Sequence, residues 1–146
     1  MKVTCACINE ERRLETVDGA GLNNPRNGET QYWLDLEGED LEENKRNLAP
    51  FGLDPEFLED CLEPGRQRVS VSKGSVFLSF PICLGDQQHP EYIRVLSLPN
   101  LLITIHDEPV SGLERVRADY SAHAQLHAPT AAALLFEMLE EIFKQH

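Results

Sequence analysis

Apolar and polar positions along this chain follow two periods, and the switches between them mark the elements. A β-rich run at 3–8 predicts a first strand, and 12–17 a second that pairs with it. Residues 18–30, DGAGLNNPRNGET, are crowded with Gly, Asn and Pro and predict an exposed loop. Over 31–36, Tyr32, Leu34 and Leu36 alternate with Trp33 and Asp35, the pattern of a half-buried strand. Residues 39–49 predict a helix, acidic at its start (Glu39, Asp40, Glu42, Glu43) and basic later (Lys45, Arg46), which suits the helix dipole. Pro50-Phe51-Gly52 breaks it.

The stretch 53–72, LDPEFLEDCLEPGRQRVSVS, carries the sharpest local signals. Asp54 is placed to cap a short helix and Pro55 to occupy its first position. Phe57, Leu58, Cys61 and Leu62 fall on one face and anchor it. Glu56, Glu59, Asp60 and Glu63 fall on another, with no lysine or arginine among them. Pro64-Gly65 ends the helix, and Val69 to Ser72 alternate as a strand.

Residues 68–72 and 75–84 predict a hairpin about Lys73-Gly74, with Val76, Leu78, Phe80, Ile82 and Leu84 on one face. A second hairpin joins 92–98 to 101–106 about Pro99-Asn100. The run 101–105 is nearly all apolar, so that strand is expected to be covered on both faces. Asp107-Glu108-Pro109 opens a helix with Leu113, Val116 and Tyr120 on a stripe, weakened early by Gly112. Pro129 starts a last helix whose apolar face is read as Ala132, Leu135, Phe136, Leu139, Ile142 and Phe143. No stop signal follows that face before Gln145-His146, a pattern that leans towards a chain cut inside a longer protein over a natural terminus. The order of elements predicts an α+β or three-layer α/β fold, with residues 1–146 as one domain.

Composition narrows the partners. With 13 Lys+Arg against 25 Asp+Glu the net charge is −12, which disfavours nucleic acid and permits a cation. The longest apolar run, 131–136, is too short to span a bilayer, and no signal peptide is visible at the start; a cytoplasmic location is expected. Cys5 and Cys7 point the same way from one strand, but without further ligands at recognisable spacing a zinc site is disfavoured. Cys61 and Cys83 read as small buried hydrophobes.

No nucleophile elbow, phosphate loop, zincin helix or EF-hand loop is present, and the chain is expected not to be an enzyme. His106-Asp107-Glu108 at a strand end would suit a small metal-dependent hydrolase, the weakest of the readings. His123 and His127, four apart, would bind a metal only if helical. The acidic face Glu56/Glu59/Asp60/Glu63 is the best candidate, because hard divalent cations take oxygen ligands; periodicity alone equally describes a solvated helix face.

Several stretches, in collinear order, resemble the CorA-type divalent metal ion transporters. They are W-L-D-L-E-G at 33–38, F-G-L-D-P-x-x-L-E-D at 51–60, G-R-Q-R-V at 65–69 and V-F-L-S-F at 76–80. L-L-I-T-I-H-D-E-P at 101–109, L-E-R-V-R at 113–117 and P-T-A-A-A-L-L-F-E-M-L at 129–139 continue the series. The resemblance covers nearly everything from Trp33 onward and is loose before it. It implies the family's N-terminal cytoplasmic domain, a three-layer αβα sandwich with a mixed, largely antiparallel sheet flanked by helices. It also implies a homo-pentamer at the cytoplasmic face of the inner membrane, reached through a stalk and transmembrane helices that these residues do not contain, and passing Mg²⁺, Co²⁺ or, in the ZntB branch, Zn²⁺. A regulatory cation between neighbouring subunits is implied too. Its carboxylate in the L-E-D motif is Asp60, with Glu59 second, so this chain would supply half of the site and hold no ion tightly alone. Gly65 to Val69 departs from the family's frequent H-Q-R-P-K, which leaves the subgroup open. The implied role is a domain that senses intracellular cation and couples it to gating. The alternative is a stand-alone acidic binding module of the same fold.

Overall fold

The computed structural model describes residues 2–8, 14–17, 30–38, 40–63, 67–82, 91–119 and 131–143. Its strands are β1 (Lys2–Ile8), β2 (Leu14–Val17), β3 (Gln31–Glu37), β4 (Arg68–Ser72), β5 (Ser75–Ile82), β6 (Glu91–Leu98) and β7 (Leu101–His106). Its helices are α1 (Leu41–Leu48), α2 (Pro55–Leu62), α3 (Ser111–Asp119) and α4 (Ala131–Phe143). The strands form one seven-stranded sheet in the order β2-β1-β3-β7-β6-β5-β4. Every pairing is antiparallel except that of β3 with β7. The expected mixed, largely antiparallel sheet flanked by helices is therefore what forms.

Two apolar layers sandwich this sheet. On one face Phe51, Phe57, Cys61 and Leu62 pack with Leu34, Phe77, Leu96 and Ile103. On the other, Leu113, Val116, Leu134, Met138 and Ile142 pack with Trp33, Ile93, Val95 and Leu102. All six residues of β7 are buried, as its unbroken apolar run requires.

Capping explains the helix starts. Asp40 accepts a hydrogen bond from the Glu43 amide (3.1 Å), so α1 begins at Leu41 and not at 39. Asp54 accepts from the Glu56 amide (3.1 Å) with Pro55 at the first helical position. The β4–β5 hairpin turns on Lys73 and Gly74, both with positive φ, which matches the right-handed twist of the two strands.

Four expectations are corrected. β3 is not half-buried, because Trp33, Leu34, Asp35 and Leu36 are all buried. α3 starts at Ser111, since the Asp107 and Glu108 amides instead donate to Glu91 Oε1 (2.6 Å each). α4 seats Leu134, Met138 and Ile142 on the sheet, leaving Phe136 and Phe143 exposed and Leu135 and Leu139 half-buried. The i, i+4, i+8 row was hidden among apolar residues on two faces. Gly112 does more than weaken a helix: a Cβ there would lie 3.0 Å from the Ile142 Cα, so glycine allows α3 and α4 to touch. Cys83, Leu84, Tyr120, His123, His127 and Pro129 lie outside the described residues.

Candidate functional site

Two carboxylates, Asp35 and Asp60, gather charge around them, and the sheet decides which can meet a ligand. Asp35 sits in the middle of β3, 5% exposed. A charge at such a position needs partners, because desolvation of an unpaired carboxylate is prohibitive. β7, paired in parallel, brings Thr104 directly opposite. Trp33 Nε1 donates to Thr104 Oγ1 (2.9 Å), and the Thr104 hydroxyl donates to Asp35 Oδ1. His106 Nε2 donates to the same oxygen (2.7 Å), and Arg117 from α3 donates to Oδ2 (3.0 Å) while its guanidinium lies over the Trp33 ring. His106 Nδ1 faces the Glu108 carbonyl at 2.7 Å. A carbonyl only accepts, so Nδ1 carries a proton as well and the ring is an imidazolium.

Burial by itself would raise the pKa of Asp35, but the hydrogen bond from His106, its charge, Thr104 and Arg117 together hold it below the ordinary carboxylate value. Burial works to lower that of His106. The hydrogen bond and charge of Asp35, the Glu108 carbonyl and Glu37 raise it overall. Asp35, Thr104 and His106 are buried, and the partly exposed Arg117 covers them from α3, so the cluster is structural. It also removes His106 from the hydrolase triplet: His106 is buried, whereas Asp107 and Glu108 are exposed.

Asp60 is placed very differently. Phe57, Cys61 and Leu62 seat α2 on the sheet, and the Arg94 guanidinium, buried beneath it, donates to the carbonyls of Cys61 (3.1 Å) and Leu62 (3.2 Å) at the helix end. Burial, followed by the nearby Asp60 charge, pushes the Cys61 thiol up to about 12, so it stays protonated and inert. With α2 so fixed, Asp60 looks across to the edge strand β4. Its Oδ1 lies 2.9 Å from Arg68 Nη1, and Ser70 Oγ donates to Oδ2 (3.2 Å). The same Nη1 lies 3.1 Å from Glu63 Oε2. Asp54, Glu56, Asp60, Ser70 and Ser72 line an open cavity of about 200 Å³ here.

The acidic face is thus not one face. Glu59 turns the other way, into a cleft of about 450 Å³ between α1 and α2 that it shares with Asp40, Asn44, Lys45, Glu63 and Arg94. Nor is the face free of basic residues, since β4 carries Arg68 into it. Among the described residues no three His, Cys, Asp or Glu side chains converge closely enough to hold a metal ion. The donors around Asp60 (carboxylate and hydroxyl oxygens) nonetheless suit a hard divalent cation, provided a further ligand comes from outside the chain.

The family model described as CorA-like Mg2+ transporter protein matches residues 28–146. The chain belongs to this CorA-like family. Its fold is similar to the full-length CmaX protein (TM-score 0.80, 13% identity, 97% of this chain and 45% of that one). It is also similar to the CorA magnesium transporter from Methanocaldococcus jannaschii (TM-score 0.71, 16% identity, 99% and 45%). A third likeness is to the ZntB cytoplasmic domain from Vibrio parahaemolyticus (TM-score 0.72, 11% identity, 95% and 56%). At these identities the likeness is one of fold. The chain spans about half the length of the solved chains it resembles. No curated protein matches the sequence. No helix among the described residues is long and apolar enough to cross a membrane.

With the fold in hand, the CorA-like stretches divide by role. Trp33 and Asp35 come from the first, Thr104 and His106 from the fifth and Arg117 from the sixth; together they make the closed cluster. The L-E-D stretch instead places Asp60 beside an open cavity. One available signal pointed to the closed cluster: charged Asp35 and His106 inside otherwise apolar strands, each demanding a partner.

Proposed function

We propose that this chain is the cytoplasmic, cation-sensing domain of a CorA-type divalent cation transporter, with Mg²⁺ or Co²⁺, or Zn²⁺ as in the ZntB branch, as the ion sensed. Asp60 supplies the carboxylate of a regulatory site completed by a neighbouring subunit of a homo-pentamer. Glu59 is second, on the α1 side of the same helix. Residues 1–146 act as one domain at the inner face of the membrane, tied to it through helices outside this sequence. The observation that carries the reading is the placement of Asp60. In a chain of the CorA-like family it stands at the open rim between α2 and the edge strand β4, backed by a helix anchored to the core. A cation bridging two such rims relieves like-charge repulsion between acidic subunits. Its loss restores the repulsion, and a ligand that binds one arrangement better shifts the balance towards it.

Sedimentation velocity of the chain during titration with Mg²⁺ or Co²⁺ tests this. Cation-dependent association is expected, and Asp60→Asn should abolish it. Association that ignores Asp60→Asn would remove that residue from the mechanism; none at all would remove cation sensing from these residues.

A further inference from the structure

Leu41, Asn44 and Leu48 form one row along α1, at the spacing that turns a single stripe of a helix towards a core. Leu48 is fully buried, as such a row requires. The other two depart from it in opposite directions. Leu41 is 51% exposed, whereas Asn44, a carboxamide, is 2% exposed. Asn44 Oδ1 is buried and accepts no hydrogen bond among the described residues. A buried polar atom left without a partner costs stability, and a leucine at this position would not carry that cost. The misplaced amide and the misplaced leucine line the same cavity, the cleft of about 450 Å³ between α1 and α2.

We propose that this cleft is a binding site for a small primary alkylammonium ion, its N–H donating to Asn44 Oδ1 and its short apolar chain lying against Leu41 and Leu62. The proposal does not rest on the reading of Asp60, which lines the separate cavity beside β4. Each part of the ligand answers a feature of the wall. An amide oxygen only accepts, so the group that meets it must be a donor. Asp40, Glu59 and Glu63 outnumber Lys45 and Arg94 around the cleft, which favours a cation over an anion. The two basic groups are also turned to other work. Lys45 Nζ lies 3.6 Å from Glu42, and Arg94 Nη1 donates to the carbonyls of Cys61 and Leu62, where the negative end of the α2 dipole offsets its charge. Leu41 and Leu62 supply the apolar surface for the chain.

A water molecule or a hydrated metal ion answers only half of this. Either can donate to Asn44, but neither covers Leu41, and no three His, Cys, Asp or Glu side chains among the described residues converge to hold a metal here. The ligand reaches the amide by a small motion, since the terminal torsion of asparagine is broad and turns Oδ1 towards the cleft at little cost.

The test is an NMR titration of the full chain with n-butylammonium chloride at constant ionic strength. The Asn44 side-chain amide and the backbone amides of 41–45 and 59–63 should move together and saturate. No saturable movement there would overturn the proposal. Two further probes need no variant. Butyltrimethylammonium keeps the charge and lacks the N–H, and 1-butanol keeps a donor and lacks the charge; each should bind at least about fivefold more weakly. Equal binding of the first would remove the hydrogen bond to Asn44, and equal binding of the second would remove the ammonium. Glu59→Gln should weaken n-butylammonium about fivefold, while Glu140→Gln on the exposed side of α4, which changes the net charge equally, should not. Equal weakening in both would reduce the effect to general attraction by an acidic protein. Asn44→Leu should bind about tenfold more weakly and unfold at a higher temperature than the unaltered chain, because it removes the unpartnered oxygen. A lower thermal midpoint in Asn44→Leu would make Asn44 a structural residue and overturn the proposal. So would MgCl₂ that moves the Asn44 side chain and excludes the amine, since the cleft would then be a metal site.

Discussion

Asp35 and Asp60 are the same side chain with the same kind of partner, an arginine about 3 Å away, in opposite surroundings. Asp35 is buried in a central strand, and threonine, imidazolium and the guanidinium of α3 close around it. Asp60 stands at the last strand of the sheet, where helix and strand leave a gap open to solvent. The lesson is that pairing alone does not tell a structural carboxylate from one that can exchange its partner. Access decides. A buried ion pair is expensive to break because the partner left behind has nowhere to find a substitute. An edge pair is cheap to break because water, salt or another ion replaces what is lost.

The comparison is broken most severely by removing the buried charge. Asp35→Asn leaves His106 and Arg117 as cations facing an amide. Chemical denaturation should show a loss of about 3–5 kcal/mol, against about 1 kcal/mol or less for Asp60→Asn. Comparable losses at the two positions would mean that access does not separate them.

The buried cluster should also respond to pH in a way the edge pair does not. His106 has a raised pKa in the folded chain, so its contribution is present in full below its unfolded value of about 6.5 and is lost as pH rises through the folded value. Asp35 has a lowered pKa, so its contribution is present above its unfolded value of about 3.9 and is lost as pH falls through the folded one. The thermal midpoint should thus fall as pH rises above about 6.5 and through the folded value of His106, and His106→Gln should flatten that limb while Asp60→Asn leaves it in place. An alkaline limb that persists in His106→Gln would assign the effect to another group.

The smallest effect sharpens the other half. Arg68→Gln should change stability by about 1 kcal/mol or less at low salt, and the difference from the unaltered chain should shrink further in 0.5 M NaCl. A loss of several kcal/mol, insensitive to salt, would place Arg68 with the buried pairs.

Much of the edge site was legible along the chain. Asp54, Pro55 and the Phe57/Leu58/Cys61/Leu62 face are signals contained within about eight residues, and capping and periodicity act at that range. The Lys73-Gly74 and Pro99-Asn100 turns are equally local, and the collinear CorA-like stretches led to the right family. What the sequence alone could not place was anything that depended on two distant elements meeting. His106 reaches Asp35 across 71 positions and Arg117 across 82, through a parallel pairing of β3 with β7 that no turn announces. Arg68, only eight residues beyond Asp60, was missed for the same reason: a helix pattern reports which residues share a face, but not what the next strand lays against it. Periodicity determined which residues lie on the same side of each element and where each begins. The sheet order decided which of the two aspartates is shut away and which faces the solvent, because that depends on whether a strand lies at the centre or at the rim, a property of the assembled sheet and of no single stretch of the chain.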